Sequence, residues 1–68
     1  MNHRERIGNR IAELRKGKGL SLRQLAELSG VTSQNITKIE HGRYNVSIDI
    51  LSKICNALDC EIEIKETI

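Results

Sequence analysis

The hydrophobic positions of this chain fall into short runs whose spacing changes from one segment to the next. Between His3 and Lys16, Ile7, Ile11 and Leu14 lie at i, i+4 and i+7, the signature of one buried helical face. Arg4, Arg6, Arg10, Arg15 and Lys16 point mostly outward, and Gly17 and Gly19 end the run before Leu20 turns back to the core. A second helix is predicted over 21–29. Ser21 opens it as an N-cap, Gln24 completes a capping box three residues on, and Leu22, Leu25, Ala26 and Leu28 supply its apolar stripe. Gly30 can adopt the left-handed conformation that a helix end requires. After Val31, Thr32 caps a third helix running to Glu40. Its Ile36 and Ile39 face one way, and Ser33, Gln34, Thr37 and Lys38 face another. His41-Gly42 stops it, and Arg43, Tyr44 and Asn45 form a polar loop. Ser47 caps a fourth helix, over about 48–58, with Asp49 in its first turn and an apolar stripe of Ile48, Leu51, Ile54, Cys55 and Leu58.

The tail has a different period. In CEIEIKE, residues 60–66, apolar and charged residues alternate, which predicts a half-buried strand with Cys60, Ile62 and Ile64 on its inner face. A lone strand on a helical domain has no partner of its own, and its backbone would remain an open edge. Pairing with the same strand of a second copy across a two-fold axis answers this. The alternative is a frayed tail.

Composition narrows the picture. A single domain of 68 residues buries only about 60% of its unfolded surface. Tyr44 is the only aromatic residue, so the core must be aliphatic. No membrane-length apolar run or secretory h-region is present, which makes the cytoplasm the expected location. Cys55 and Cys60 read as small apolar residues in a reducing compartment. With only His3 and His41 to join them, no zinc-ligand spacing is formed, and no metal or cofactor is expected. Nor do the residues compose a Ser-His-Asp, Cys-His or paired-carboxylate set, so an enzyme is not expected. Charge is unevenly distributed. Residues 1–45 carry nine Lys/Arg against four Glu, and residues 46–68 carry two Lys against five Asp/Glu. Such a division suits a protein with one side toward a polyanion. Arg10 has two open readings, a solvated helix charge or a phosphate contact.

Two short helices over 21–40, joined by a tight turn and presenting polar side chains, make a helix-turn-helix candidate. From Ile7 to Leu58 the chain resembles the phage-repressor-like (XRE/Cro-type) helix-turn-helix family, through IAELRKGKGLSLRQLAELSGV, ITKIEHG and ILSKICNALD. The resemblance implies an all-α, lambda-repressor-like domain of four to five helices, with its third helix in the major groove of double-stranded DNA. It also implies base contacts from Ser33, Gln34, Thr37 and Lys38. The chemistry fits, because Gln can grip adenine, Lys can reach guanine O6/N7, and Ser or Thr can serve either. Thr32 and the neighbouring amides, Asn35, Arg43, Tyr44 and Asn45 become candidate backbone contacts. For each of these residues the plain alternative is a solvated side chain. The family pattern also pairs Glu40 with Arg15 as scaffold. One departure stands out: many relatives open the second helix with a phosphate-holding Gln, where this chain has Leu22, leaving Arg23 as the substitute. The expected function is a homodimeric transcriptional repressor on a pseudo-palindromic operator. The alternative is an antitoxin that also neutralises a toxin protein.

Overall fold

The computed structural model describes residues 2–67 and contains four helices: α1 (His3–Gly17), α2 (Leu22–Ser29), α3 (Ser33–Glu40) and α4 (Ile48–Ala57). Each begins at a side-chain cap that satisfies an otherwise unpaired amide. Asn2 Oδ1 accepts from the Glu5 amide at 2.9 Å, Thr32 Oγ1 from Asn35 at 3.2 Å, and Ser47 Oγ from Ile50 at 3.1 Å. On α2 the capping box is reciprocal, with Gln24 N donating to Ser21 Oγ at 3.0 Å and Ser21 N to Gln24 Oε1 at 2.8 Å.

The ends are as well defined. After α3, Gly42 N donates to the Ile39 carbonyl and Arg43 N to the Lys38 carbonyl, at 3.0 and 2.9 Å, the paired bonds of a Schellman stop. Gly42 takes the left-handed conformation this demands, with φ of 70°. At the end of α4 the same paired bonds recur, from Asp59 N to Asn56 O and from Cys60 N to Cys55 O. Here Asp59 sits at φ 57°, the only non-glycine residue at positive φ among those described.

Nine apolar side chains form the core: Ile11, Leu25, Val31, Ile36, Ile39, Leu51, Ile54, Cys55 and Leu58. α1 packs on α3, and α2 packs on both α3 and α4. The predicted stripes overreach at their margins. Leu28 is 62% exposed because it lies off the inward arc of α2, and Ile48 67% because, though in line with Leu51 and Cys55, it is the first residue of α4; Ile7 is at the edge, where α1 borders a groove. Cys55 is buried, and burial, aided by a hydrogen bond with the Cys60 thiol, pushes its thiol pKa up to about 11. Both cysteines are free, in keeping with their reading as small apolar residues.

The strand predicted over 60–66 is not formed in the single chain. No strand occurs among the described residues, and those after Cys60 carry no regular structure. The reason is that a ladder needs an opposing edge, which four helices do not offer. Ile64 stands 96% exposed.

Gly8 fixes the α1–α3 approach. A Cβ there would collide with the Ile39 carbonyl oxygen and lie 2.9 Å from that of Glu40, so the helices meet backbone to backbone. Gly8→Ala is therefore expected to destabilise the domain by about 1–3 kcal/mol, as overpacking does, despite the roughly 1 kcal/mol that Ala gains over Gly in helix propensity. Gly17→Ala, where nothing lies within 4 Å, supplies the control and should be neutral or slightly stabilising. Urea titrations followed by circular dichroism compare the two; equal midpoints would remove the close approach as a constraint.

Candidate nucleic-acid interface

α3 is anchored by Ile36 and Ile39, both fully buried or nearly so. With roughly 100° between successive residues, the direction opposite those anchors falls between Gln34 and His41. Lys38 and Thr37 flank it, each within about 50°. Gln34, Lys38 and His41 are exposed, while Thr37 is half-buried. Ser33 and Asn35 lie further round, at the margins of the face, and both are half-buried.

The hydrogen bonds refine what each side chain has free. Thr37 Oγ1 donates to the Ser33 carbonyl at 2.9 Å, so its proton is engaged within the helix, leaving its methyl group and lone pairs. His41 Nδ1 lies 2.8 Å from the Thr37 carbonyl, which can only accept, so Nδ1 carries the hydrogen and Nε2 is the free ring nitrogen. The sequence pattern by itself marks His41 as a helix stop and not as part of the α3 face. Its signal was present nonetheless, since it follows Gln34 by seven residues and Thr37 by four. Thr32 spends its hydroxyl on the cap, so what it can offer an anion is mainly backbone N–H.

Arg43 is held next to α3 by its amide bond to the Lys38 carbonyl, and it is exposed, as is Asn45. Tyr44 is half-buried against the core and acts partly as a wedge under this loop. Lys38 and Arg43 have no ion-pair partner among the described residues. Arg23 sits exposed in the first turn of α2, with Glu27 Oε1 3.4 Å from its Nε. Leu22 beside it is half-buried against the core, so the position where the family resemblance implies a phosphate-holding Gln is apolar packing here. Arg10 is not brought to this face. It lies about 200° round α1 from Gly8, the residue that meets α3, and lines a groove with Leu51 and Cys55 on the other side.

A part-buried clamp orients the whole unit. Arg15 Nε donates to Glu40 Oε2 at 2.7 Å and Nη2 to Glu40 Oε1 at 3.0 Å, while Nη1 donates to the Leu20 carbonyl at 2.9 Å. One guanidinium thus ties the end of α1, the end of α3 and the lead-in to α2. The hydrogen bond and charge of Glu40 raise the Arg15 pKa against the opposing effect of burial. This is the pairing that the family resemblance implied.

A capped α2, a tight turn and an α3 with a polar outward face define a helix-turn-helix domain of the DNA-binding kind. The chain belongs to the helix-turn-helix family HTH_3, which matches residues 11–65. It is similar to an uncharacterized HTH-type transcriptional regulator of Rickettsia conorii, 44% identical over 57 residues, which are 84% of this chain and 46% of that protein. It is similar also to the transcriptional regulator SinR of Bacillus subtilis, 42% identical over 82% of this chain and 51% of SinR. The chain thus spans about half the length of these relatives. Among solved structures, the restriction-modification controller protein C.AhdI of Aeromonas hydrophila superposes with a TM-score of 0.82 at 41% identity, covering 85% of this chain and 88% of that one.

The clamp yields a prediction. Removing the carboxylate charge from this part-buried, hydrogen-bonded pair leaves Arg15 poorly satisfied, so Glu40→Gln should cost about 1–3 kcal/mol. Arg15→Lys keeps the charge and loses the two-pronged geometry, and should cost less but still destabilise. Both are read from denaturant midpoints. Wild-type midpoints for both variants would show that the clamp is ornamental.

Proposed function

We propose that this protein is a sequence-specific DNA-binding regulator of transcription, reading the major groove with α3. The observation that carries this is the division of α3 into a face sealed by Ile36 and Ile39 and an opposite face of exposed Gln34, Lys38 and His41 with Thr37 alongside. In this reading Gln34 and Lys38 take base edges, with Ser33 and Thr37 at the flanks. Arg43, Asn45, Arg23, Asn35, Tyr44 and the amides after Thr32 set the register on phosphates. Arg43 and Lys38, both uncompensated, supply positive charge next to the groove. The relatives named as transcriptional regulators support the reading.

One such domain covers a half-site. We therefore take the working form to be a homodimer on a pseudo-palindrome, with half-sites about one helical turn, roughly 34 Å, apart. Repression then follows from occupying a promoter, without chemistry on the DNA. The antitoxin alternative gains nothing from the relatives, whose names refer to regulators and not to toxin partners. No helix among the described residues is long and apolar enough to cross a membrane.

Two substitutions separate reading from positioning. Gln34→Ala should relax preference at one or two base pairs and cost about 1–3 kcal/mol on the selected site. Arg43→Ala should weaken all sequences alike and reduce the salt slope by about one unit. Selection from a random DNA pool followed by gel-shift titration at several salt concentrations measures both. Binding untouched by either change would sink the contact map, and no binding even at low salt would sink the function.

A further inference from the structure

Away from α3, the space between α1, α4 and the tail forms an apolar groove of about 370 Å³. Ile7, Leu51 and Cys55 line it, Arg6 and Arg10 border it on the α1 side, and Glu61 and Glu63 on the tail side. Arg6 has no ion-pair partner among the described residues. Arg10 meets only Glu13, at 3.3 Å with both side chains about two-thirds exposed, a contact worth little. Glu61 and Glu63 line the same groove, yet neither pairs with these arginines within one chain. Ile62 also lines the groove but stays 43% exposed, and beyond it Ile64 stands 96% exposed.

We propose that this groove receives the tail of a second copy of the chain. Ile64 of that copy meets the apolar lining, its Glu61 and Glu63 face Arg6 and Arg10, and the exchange is reciprocal, as a two-fold interface requires. Charge complementarity selects this occupant. The α1 side of the groove carries Arg6 and Arg10 beside an apolar floor, and the tail alternates acidic and apolar residues. Burying Ile64 and the exposed edge of Ile7 supplies the apolar driving force that the single chain leaves unused. The inference rests on the homodimer reading above and specifies its contact surface, and it gives Arg10 a role away from DNA.

Full-length chains with reversed charges test it. One variant carries Arg6→Glu with Arg10→Glu, the other Glu61→Lys with Glu63→Lys. In a sedimentation concentration series the wild type should reach twice the 7.7 kDa chain mass. Each variant alone should self-associate about a hundredfold more weakly, since like charges are juxtaposed. An equimolar mixture should recover the dimer, because each tail then finds an opposite groove in the other chain. Ile64→Lys should keep the helix content and likewise lose the dimer. A monomeric wild type overturns the homodimer reading and this inference with it. A wild-type dimer that Ile64→Lys leaves intact, or a mixture no tighter than its components, overturns the exchange alone and leaves the dimer standing.

Discussion

The α1–α3 crossing is the constraint on which the rest of this structure depends. Two devices of different character hold it. Gly8 lets the α1 backbone settle against the last carbonyls of α3, and the Arg15 guanidinium reaches back to Glu40 and the Leu20 carbonyl. A part-buried ion pair contributes modest net stability, because desolvation offsets much of its attraction. What it does impose is geometry. Three donors on a planar group must meet two carboxylate oxygens and one carbonyl simultaneously, which only one arrangement of α1, α2 and α3 allows. In a chain with nine buried apolar side chains and a single aromatic, aliphatic packing alone would tolerate several such arrangements. The clamp gives the outward face of α3 a fixed direction.

Much of this was legible in the residues because the signals are local. Ser21 with Gln24, Thr32, Ser47, Gly30 and Gly42 mark helix boundaries through bonds spanning at most five residues, and all four helices lie where those marks put them, within a residue at each end. The apolar stripes found the core for the same reason, since period reports the buried face of a helix. The stripes overreach at Leu28, which lies off the inward arc of α2, and at Ile48, which is on the right face of α4 but at its first residue. The Arg15–Glu40 pair joins residues 25 apart, and only family resemblance could bring them together. Gly8 carries no such local signal, since a mid-helix glycine looks like a mere weakness until the opposing backbone is known.

The candidate site shows the same division. That Gln34 and Lys38 are exposed could be read from the spacing of Ile36 and Ile39. How Thr37 and His41 spend their hydrogen bonds could not, as both engage carbonyls of their own helix in a way that depends on rotamer and cap geometry. Arg10 was ambiguous in sequence for a related reason. Charge composition counts cations without assigning them to sides, and the nine of the N-terminal two-thirds divide among different jobs. Arg15 is internal scaffold, Lys38 and Arg43 accompany the α3 face, and Arg6 and Arg10 look across α1 toward the tail.

That division gives the acidic tail a meaning beyond keeping the far side anionic. A basic face on α3 attracts a polyanion, and any further basic surface on so small a domain would attract it in competing orientations. Glu61 and Glu63 line the same groove as Arg6 and Arg10, which places negative charge beside those arginines and away from Lys38 and Arg43. If a second copy supplies those carboxylates, the neutralisation and the two-fold spacing arise from one contact. The orientation of each α3 on the groove and the distance between the two copies then share a single structural origin. On that proposal, the alternation of the tail, where everything before it is helical, would serve both demands at once.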